Sequence, residues 1–158
     1  MRFLSRIIGV AAVVLLATFG CSDDDPTFRV APRLQFRFLS GTIGANLMPI
    51  VPPDPIQATV SVEVSNLTGD TVSVTVPGAD VFLVRTNAKL GRIDFATAWG
   101  GRLNPGQVDT LTVAKINAGV KLFDPPCTED VVLRITGQSP AIGSVTFDSD
   151  TLTFGCVF

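Results

Sequence analysis

The stretch that decides the fold is Ala58-Thr59-Val60-Ser61-Val62-Glu63-Val64-Ser65-Asn66, in a chain of 158 residues. Alanine and valine alternate in it with threonine, serine and glutamate. Because successive side chains of a β-strand point to opposite faces, this period of two predicts a strand with one buried face and one face in water. The sequence therefore predicts an all-β domain built on this strand.

Further segments with short apolar or alternating runs lie on both sides of this strand. Their apolar positions are Leu34, Phe36 and Phe38; Val72, Val74 and Val76; Ile93, Phe95 and Trp99; Leu111 and Val113; and Val131, Leu133 and Ile135. A shorter strand over residues 81–85 has apolar residues on both faces. Glycine, proline, asparagine and aspartate separate these runs. Short strands at this spacing are typical of a β-sandwich, which we expect to occupy residues 33–158 as a single domain.

Proline and glycine predict the connections. Residues 40–56 are expected to be a long irregular connection, because they are rich in proline, which has no amide for a sheet ladder. The turn over residues 66–70 is expected to join its flanking strands as an antiparallel hairpin. Residues 77–80 are expected to end the next strand, and residues 86–91 to turn the chain again. Residues 114–126 are the least regular, with room for one short helical turn.

The N-terminal residues carry an export signal. Two arginines precede an apolar run over residues 7–17, and an uncharged stretch of about 16 residues is shorter than the roughly 20 that a membrane-spanning helix needs. We therefore expect a helical signal peptide over residues 1–20, cleaved before Cys21.

The residues before Cys21 resemble the bacterial lipoprotein signal. Gly20 and Cys21 match its pattern, whereas Thr18 stands where leucine is usual and Phe19 is larger than the usual small residue. The resemblance implies that Cys21 is diacylated and anchors the protein to a membrane of the bacterial cell envelope, facing the periplasm or the cell surface. Cleavage at the same bond by an ordinary signal peptidase is the alternative.

Residues 21–32 are expected to be a lipid-anchored, acidic and flexible linker, because they carry three consecutive aspartates and two prolines with few apolar residues. The acidic run resembles the tract that follows the anchor in surface-exposed lipoproteins of some Gram-negative groups. A simple solvated tether explains it equally well.

The three cysteines are consistent with export. An odd number in an exported protein needs an explanation, and lipidation of Cys21 supplies one, leaving Cys127 and Cys156 as a pair. Disulfides persist in oxidising compartments such as the periplasm or the cell surface. We therefore predict a Cys127–Cys156 disulfide, with two buried free thiols as the alternative.

The geometry of the last thirty residues selects between two arrangements. A three-stranded meander with a tight turn at residues 148–150 would place the two cysteines too far apart for a disulfide. A single hairpin that turns over residues 139–144 places residue 127 opposite residue 156. Along its second strand the apolar residues change from odd positions, Val145 and Phe147, to even positions, Leu152 and Phe154. This shift indicates a bulge near Ser149. We therefore predict a long bulged hairpin closed by the disulfide.

The search for chemistry finds few candidates. The chain has no histidine, which removes the commonest general base and zinc ligand. Asp148 and Asp150 could place two carboxylates on a calcium ion, but the other ligands of an EF-hand are missing, and we expect a solvated bend. Glu129 and Asp130 are expected to begin a strand in solvent. We therefore predict no catalytic residue, no cofactor and no metal site.

Other candidate ligand sites are equally weak. Gly100 and Gly101 precede no helix that would present amides to a phosphate. Trp99 could be a ligand platform, but a single tryptophan in a sandwich is expected in the core. The formal net charge is −2 for the whole chain and becomes −4 once the two arginines before Cys21 are removed. Nucleic acid is therefore not an expected partner.

Three features of residues 59–113 carry a further resemblance. They are a valine strand that ends in Asn66, Trp99 further along, and Leu-Asn-Pro-Gly over residues 103–106 before a strand. In this layout the segment resembles immunoglobulin-like modules of bacterial exported proteins, and is similar to BsuPI-type proteinase inhibitor domains. The resemblance implies an immunoglobulin-like sandwich used for binding. No inhibitory residue can be assigned from this resemblance, because it covers the scaffold of those inhibitor domains and not their reactive loop.

Together these observations predict an exported, membrane-anchored lipoprotein that is not an enzyme and carries an immunoglobulin-like binding or adhesion module. Its partners are expected to be the membrane, through the lipid on Cys21, and an envelope or extracellular protein or glycan. The alternatives are a structural accessory of a cell-envelope assembly and a periplasmic protease inhibitor.

Overall fold

A computed structural model of the protein describes residues 34–48, 53–96 and 101–158. Within these ranges every helix-or-strand element is a β-strand, so the all-β prediction is confirmed. None of these residues belongs to a helix that could cross a membrane. The predicted signal helix and linker lie outside the described residues, so the structure leaves them as predictions.

Eleven strands follow one another in the described part of the chain, and the longest connection between them lies between β7 and β8. They are β1 Leu34–Asn46, β2 Ile56–Asn66, β3 Val72–Ser73, β4 Thr75–Leu83, β5 Ala88–Ala96, β6 Arg102–Leu103, β7 Val108–Lys115, β8 Asp130–Ser139, β9 Gly143–Asp148, β10 Leu152–Thr153 and β11 Gly155–Val157.

The main strands form two layers around one core. One layer has the order β11-β1-β2-β7, and in the other β8, flanked by β9 and β10 along one edge, pairs with β4, which pairs with β5. The strand β5 also pairs with the end of β7, so it joins the layers. Every described strand pair is antiparallel except β1 with β11. This arrangement confirms the predicted immunoglobulin-like β-sandwich.

The alternation of apolar and polar residues in the sequence correctly predicts which side chains of these strands are buried. The inward positions of β2, β7 and β8 are almost completely buried: Val60, Val62, Val64, Leu111, Val113, Val131, Leu133 and Ile135. Between the layers, the ring of Phe36 stacks on that of Phe147 with centroids 5.6 Å apart. The same ring lies on Gly137, where an added Cβ would come within 2.5 Å of it. A side chain at that position would push the layers apart.

The predicted hairpin on either side of residues 66–70 is wrong. β1 and β7 occupy the two edges of β2, so no edge remains for the strand that follows. The chain instead leaves this layer: β3 pairs with β6 in a separate two-stranded sheet, and β4 pairs with β5 and β8 in the other layer. The burial predicted for Val72, Val74 and Val76 is nevertheless confirmed.

Two strands run further than the sequence predicted. β1 continues through Ser40–Asn46, because a bulge at Leu39 shifts its phase and turns Ile43 and Ala45 towards the core. In β4, residues 77–80 do not end the strand. The register against β8 shifts between Thr75 and Gly78, which accommodates Pro77 within the strand. The next turn is at residues 84–87 instead of 86–91, and residues 116–126 contain no helical turn.

The predicted C-terminal hairpin is confirmed. β9 and β10 both pair with β8, with Asp148 opposite Arg134 and Leu152 opposite Val131, so one extra residue lies between them. Ser149 sits at this bulge, where its Oγ accepts a hydrogen bond from the Leu133 amide at 3.0 Å. The parallel pairing of β11 with β1 was not predicted.

The sandwich has two ends, which we name by the groups that close them. The Asn66 end consists of residues 66–74, 102–107 and 139–143. The disulfide end consists of residues 53–56 and 83–88, with residues 115–130 and 154–158. Leu34, the first described residue, pairs with Asn66 and therefore lies at the Asn66 end.

Candidate functional site

Three adjoining depressions lie on the outer face of the β11-β1-β2-β7 layer. Their volumes are about 420, 350 and 150 Å³, and Thr59 lines all three. We call this surface the trough. Its outward-facing lining residues include Ser40, Thr42, Gly44, Gln57, Thr59, Ser61, Ala114, Asn117 and Val157.

The trough exists because its strands carry small polar residues side by side. Thr42 and Ala114 flank Thr59 on the two neighbouring strands, and Ser40 and Thr112 flank Ser61 in the next row. The hydroxyls of Ser61 and Thr112 are 3.0 Å apart and bond to each other. Short side chains leave the backbone near the surface, so this face presents hydroxyl and amide groups at the bottom of a recess.

A buried ion pair lies at one end of the trough. The side chains of Asp54 and Lys115 are 0% and 2% exposed, and Lys115 Nζ donates to Asp54 Oδ2 and, at 3.0 Å, to the carbonyl of Ile116. Asp54 also accepts the amide of Ala118 at 2.9 Å. Burial by itself raises the pKa of Asp54, but the hydrogen bonds from Lys115 and the backbone amides outweigh it and lower the pKa. The carboxylate therefore stays ionised and balances the charge of Lys115.

Beyond the trough, the outer face of the same layer carries an exposed ion pair between Arg37 and Glu63 at 3.0 Å. The outer face of the other layer carries several such pairs. Lys89 lies 2.9 Å from Asp80, and Arg92 donates to Asp94 at 3.1 Å. Arg134 donates twice to Asp148, at 2.9 and 3.1 Å. The hydrogen bonds and charge of Arg134 lower the pKa of Asp148. This face is a set of solvated ion pairs between neighbouring strands.

A further cavity of about 440 Å³ lies at the Asn66 end, beside the turn between β8 and β9. Its lining includes Ser73, Gln138 and Pro140, and none of the described residues that line it is charged. The trough differs in that several depressions adjoin and a buried ion pair borders them.

The predicted disulfide is confirmed. Cys127 and Cys156 are bonded, with Cα atoms 5.5 Å apart and a sequence separation of 29. Cys156 belongs to β11 and lines the trough, so the disulfide lies beside the candidate site. Cys21, the predicted lipid anchor, is outside the described residues.

Three of the acidic residues singled out in the sequence bond to other side chains. Asp148 bonds to Arg134, Glu129 bonds to Arg85 at 3.2 Å, and Asp130 accepts the hydroxyl of Thr153 at 2.9 Å. Among the residues that the structure describes, no three His, Cys, Asp or Glu side chains form a group that could hold a metal ion. Trp99 and Gly100 lie outside the described ranges.

Sequence reasoning missed the trough and its ion pair. The alternation around Val60 already placed Thr59 and Ser61 on the outer face, but nothing showed that their neighbours would also be small. Asp54 lies among prolines and gave no sign of burial. Its partner Lys115 is 61 residues away, so only the fold brings them together.

Comparisons with known proteins provide no family. No protein-family model matches the chain, and no curated protein matches its sequence. The fold is similar to a crystal structure assigned as an ApaA protein from Bordetella pertussis, with 9% identity, a TM-score of 0.39, and coverage of 80% of this chain and 97% of that chain. A second structural-genomics target gives 6% identity, a TM-score of 0.36, and coverage of 78% and 83%. Neither similarity is close enough to assign a family or an activity.

Proposed function

We propose that this protein is an exported, lipid-anchored lipoprotein of the bacterial cell envelope, and that its immunoglobulin-like domain is a non-catalytic module that binds a partner through the trough. The observation that carries the proposal is the trough itself, a recess lined by short polar side chains, whereas several ion pairs cover the outer face of the other layer. The disulfide is compatible with export, and the pattern around Cys21 supports the anchor.

The chemistry of the trough favours an uncharged segment of another protein. The lining offers hydroxyls and amides from Thr42, Gln57, Thr59 and Asn117, which match the hydrogen-bonding groups of a polypeptide backbone. Asp54 cancels the charge of Lys115, so the site selects against strongly charged ligands. The described lining residues include no aromatic ring on which a sugar could stack. A protein partner therefore fits better than a glycan.

The anchor is tested by Cys21→Ser in the full-length protein. We expect the wild-type protein in the membrane fraction and the variant in the soluble fraction of the envelope. Mass spectrometry of the wild-type N-terminus should show the diacylglyceryl group on Cys21. A variant that remains in the membrane fraction would refute the lipid anchor, although it would leave the binding role open.

The binding face is tested by a matched pair of substitutions. Thr59 and Thr146 are both exposed strand threonines, and they lie on opposite layers. Thr59→Arg fills the middle of the trough, and Thr146→Arg adds the same side chain elsewhere. We expect Thr59→Arg alone to lose the partners that co-purify with the wild-type protein from detergent-solubilised envelopes. Equal recovery with both variants would contradict binding through the trough. Partners that disappear after glycosidase treatment of the envelope would show a glycan instead.

A further inference from the structure

The strand β11 forms one wall of the trough, yet it buries little apolar surface of its own. Gly155 has no side chain, Val157 is 53% exposed and Phe158 is 82% exposed. The backbone contacts are three residue pairs with the edge of β1 and a 2.7 Å hydrogen bond from Leu47 to Val157. Apolar burial therefore contributes little to holding this strand in place.

The residues on either side of the disulfide differ in how firmly they are held. Phe154, just before β11, is fully buried, and its backbone exchanges hydrogen bonds with Thr128 and Glu129 at 2.9 Å. The segment that contains Cys127 is thus attached to the core through Phe154. Cys156 is two residues beyond Phe154, with Gly155 between them. The disulfide therefore connects an anchored segment to a weakly held one.

We propose that the Cys127–Cys156 disulfide is what retains β11 on β1, and that its reduction releases residues 155–158 while the rest of the sandwich stays folded. Two thiols of a reductant supply two electrons and two protons to the bridge, which leaves two cysteine thiols and one oxidised disulfide of the reductant. Release removes Gly155, Cys156 and Val157 from the lining of the trough. The redox state of this bridge then regulates binding in the trough. This consequence rests on the proposed function, whereas the release of β11 is independent of it.

Hydrogen exchange followed by mass spectrometry tests the release, on the full-length protein in detergent with and without dithiothreitol. After reduction we expect the amides of residues 156–158 and of Leu47 to exchange within about tenfold of the unstructured rate, because local opening suffices to expose them. The amides of β2 and β8 should stay protected throughout labelling. The double variant Cys127→Ser/Cys156→Ser should reproduce the reduced pattern without reductant.

Two results would overturn the proposal. Residues 156–158 that stay protected after reduction would show that β11 needs no covalent retention. Loss of protection in β2 and β8 together with β11 would show that the disulfide holds the whole domain and not this strand. Because the measurement needs no ligand, it remains informative if the trough binds nothing.

Discussion

The two ends of the sandwich are closed by different means. At the Asn66 end, the side chain of Asn66 is completely buried, and its Nδ2 donates to the carbonyls of Asp70 and Leu103 at 2.8 and 2.9 Å. Its Oδ1 accepts the amide of Thr68 at 2.9 Å. At the disulfide end, a covalent bond retains β11, and the ion pair of Asp54 with Lys115 joins the segment before β2 to the end of β7.

The difference follows from how the segments joined at each end pack against the core. Beside Asn66, Val72 is 4% exposed and Leu103 is completely buried, so packing holds these segments and the asparagine satisfies backbone groups that burial would leave unpaired. At the disulfide end, Ile56 and Phe154 are buried, but Ile116, Val157 and Phe158, which follow β7 and Cys156, are exposed. Segments that bury little apolar surface are cross-linked there by a disulfide and an ion pair. Each end can be tested separately by removing its ion pair, its disulfide or its buried asparagine one at a time.

The largest effect is expected from Asp54→Ala. Removing the carboxylate leaves the ammonium of Lys115 buried without its counter-charge, which should lower the free energy of unfolding by about 3–5 kcal/mol in urea denaturation. Asp124→Ala is the control at the same end, because the side chain of Asp124 is 90% exposed, and it should leave the transition unchanged. A stability for Asp54→Ala equal to that of the wild type would show that the ion pair does not hold this end.

The same carboxylate predicts a pH dependence. The folded protein lowers the pKa of Asp54 below its usual value of 3.8. A lowered folded-state pKa means that the stabilisation is complete above the unfolded-state pKa and is lost as the pH falls through the folded-state value. The difference in stability between wild type and Asp54→Ala should therefore be constant near neutral pH and shrink only in acid.

Removal of the disulfide is expected to come next. In the chain-entropy account, a loop with 29 residues of separation should contribute roughly 3 to 4 kcal/mol, and Cys127→Ser/Cys156→Ser should lose that amount. Denaturation of the wild-type protein with and without reductant provides the independent measurement. A loss below about 1 kcal/mol would show that loop closure in the unfolded chain does not explain what the disulfide contributes to stability.

Asn66→Ala should have a smaller effect. Two carbonyls and the Thr68 amide lose their partner in a buried site, which should cost about 1–3 kcal/mol. Asn104→Ala at the same end is the matched control, because the side-chain contact of Asn104 with Thr71 is exposed, and it should have little effect. If the two variants were equally stable, the hydrogen bonds of Asn66 would not be what closes this end.

The smallest effect is expected away from both ends. Asp148→Asn removes the charge that pairs with Arg134 through two hydrogen bonds on the outer face of β8 and β9. Both side chains are 46% exposed there. Solvent and salt screen such a pair, so the change should be smaller than that of Asn66→Ala and should vanish at high salt. A loss as large as that of Asp54→Ala would mean that the faces, and not the ends, hold the sandwich together.

The sequence predicted the disulfide end better than the Asn66 end. Cys127 and Cys156 lie equally far from the turn between β8 and β9, so their pairing followed from hairpin symmetry. Asn66 begins a stretch that resembles a hairpin turn. Its role in sending the chain to the other layer depends on β7 and Leu103, which are distant in sequence. The burial of Val60, Val62 and Val64 was predictable because a strand's period is local.

The candidate site could be predicted only in part. Local alternation placed Thr59 outward, but the trough also needs small residues at the matching positions of β1 and β7. Those positions depend on register, and the bulge at Leu39 shifts the register of β1 by one residue. Gly44 lies in the stretch that the sequence predicted to be an irregular connection, but it is needed in β1 because an added Cβ would lie 2.5 Å from the carbonyl oxygen of Gly155. Such close approaches are invisible in a single sequence.

Site-specific photo-cross-linking in the native envelope tests the central claim most directly. Benzoylphenylalanine replaces Thr59 in one full-length protein and Thr146 in another, and the cross-linked products are identified by mass spectrometry. The account predicts a discrete protein adduct from position 59 that is absent from position 146. The same adduct from both positions, or adducts from position 146 alone, would contradict the trough as the binding face.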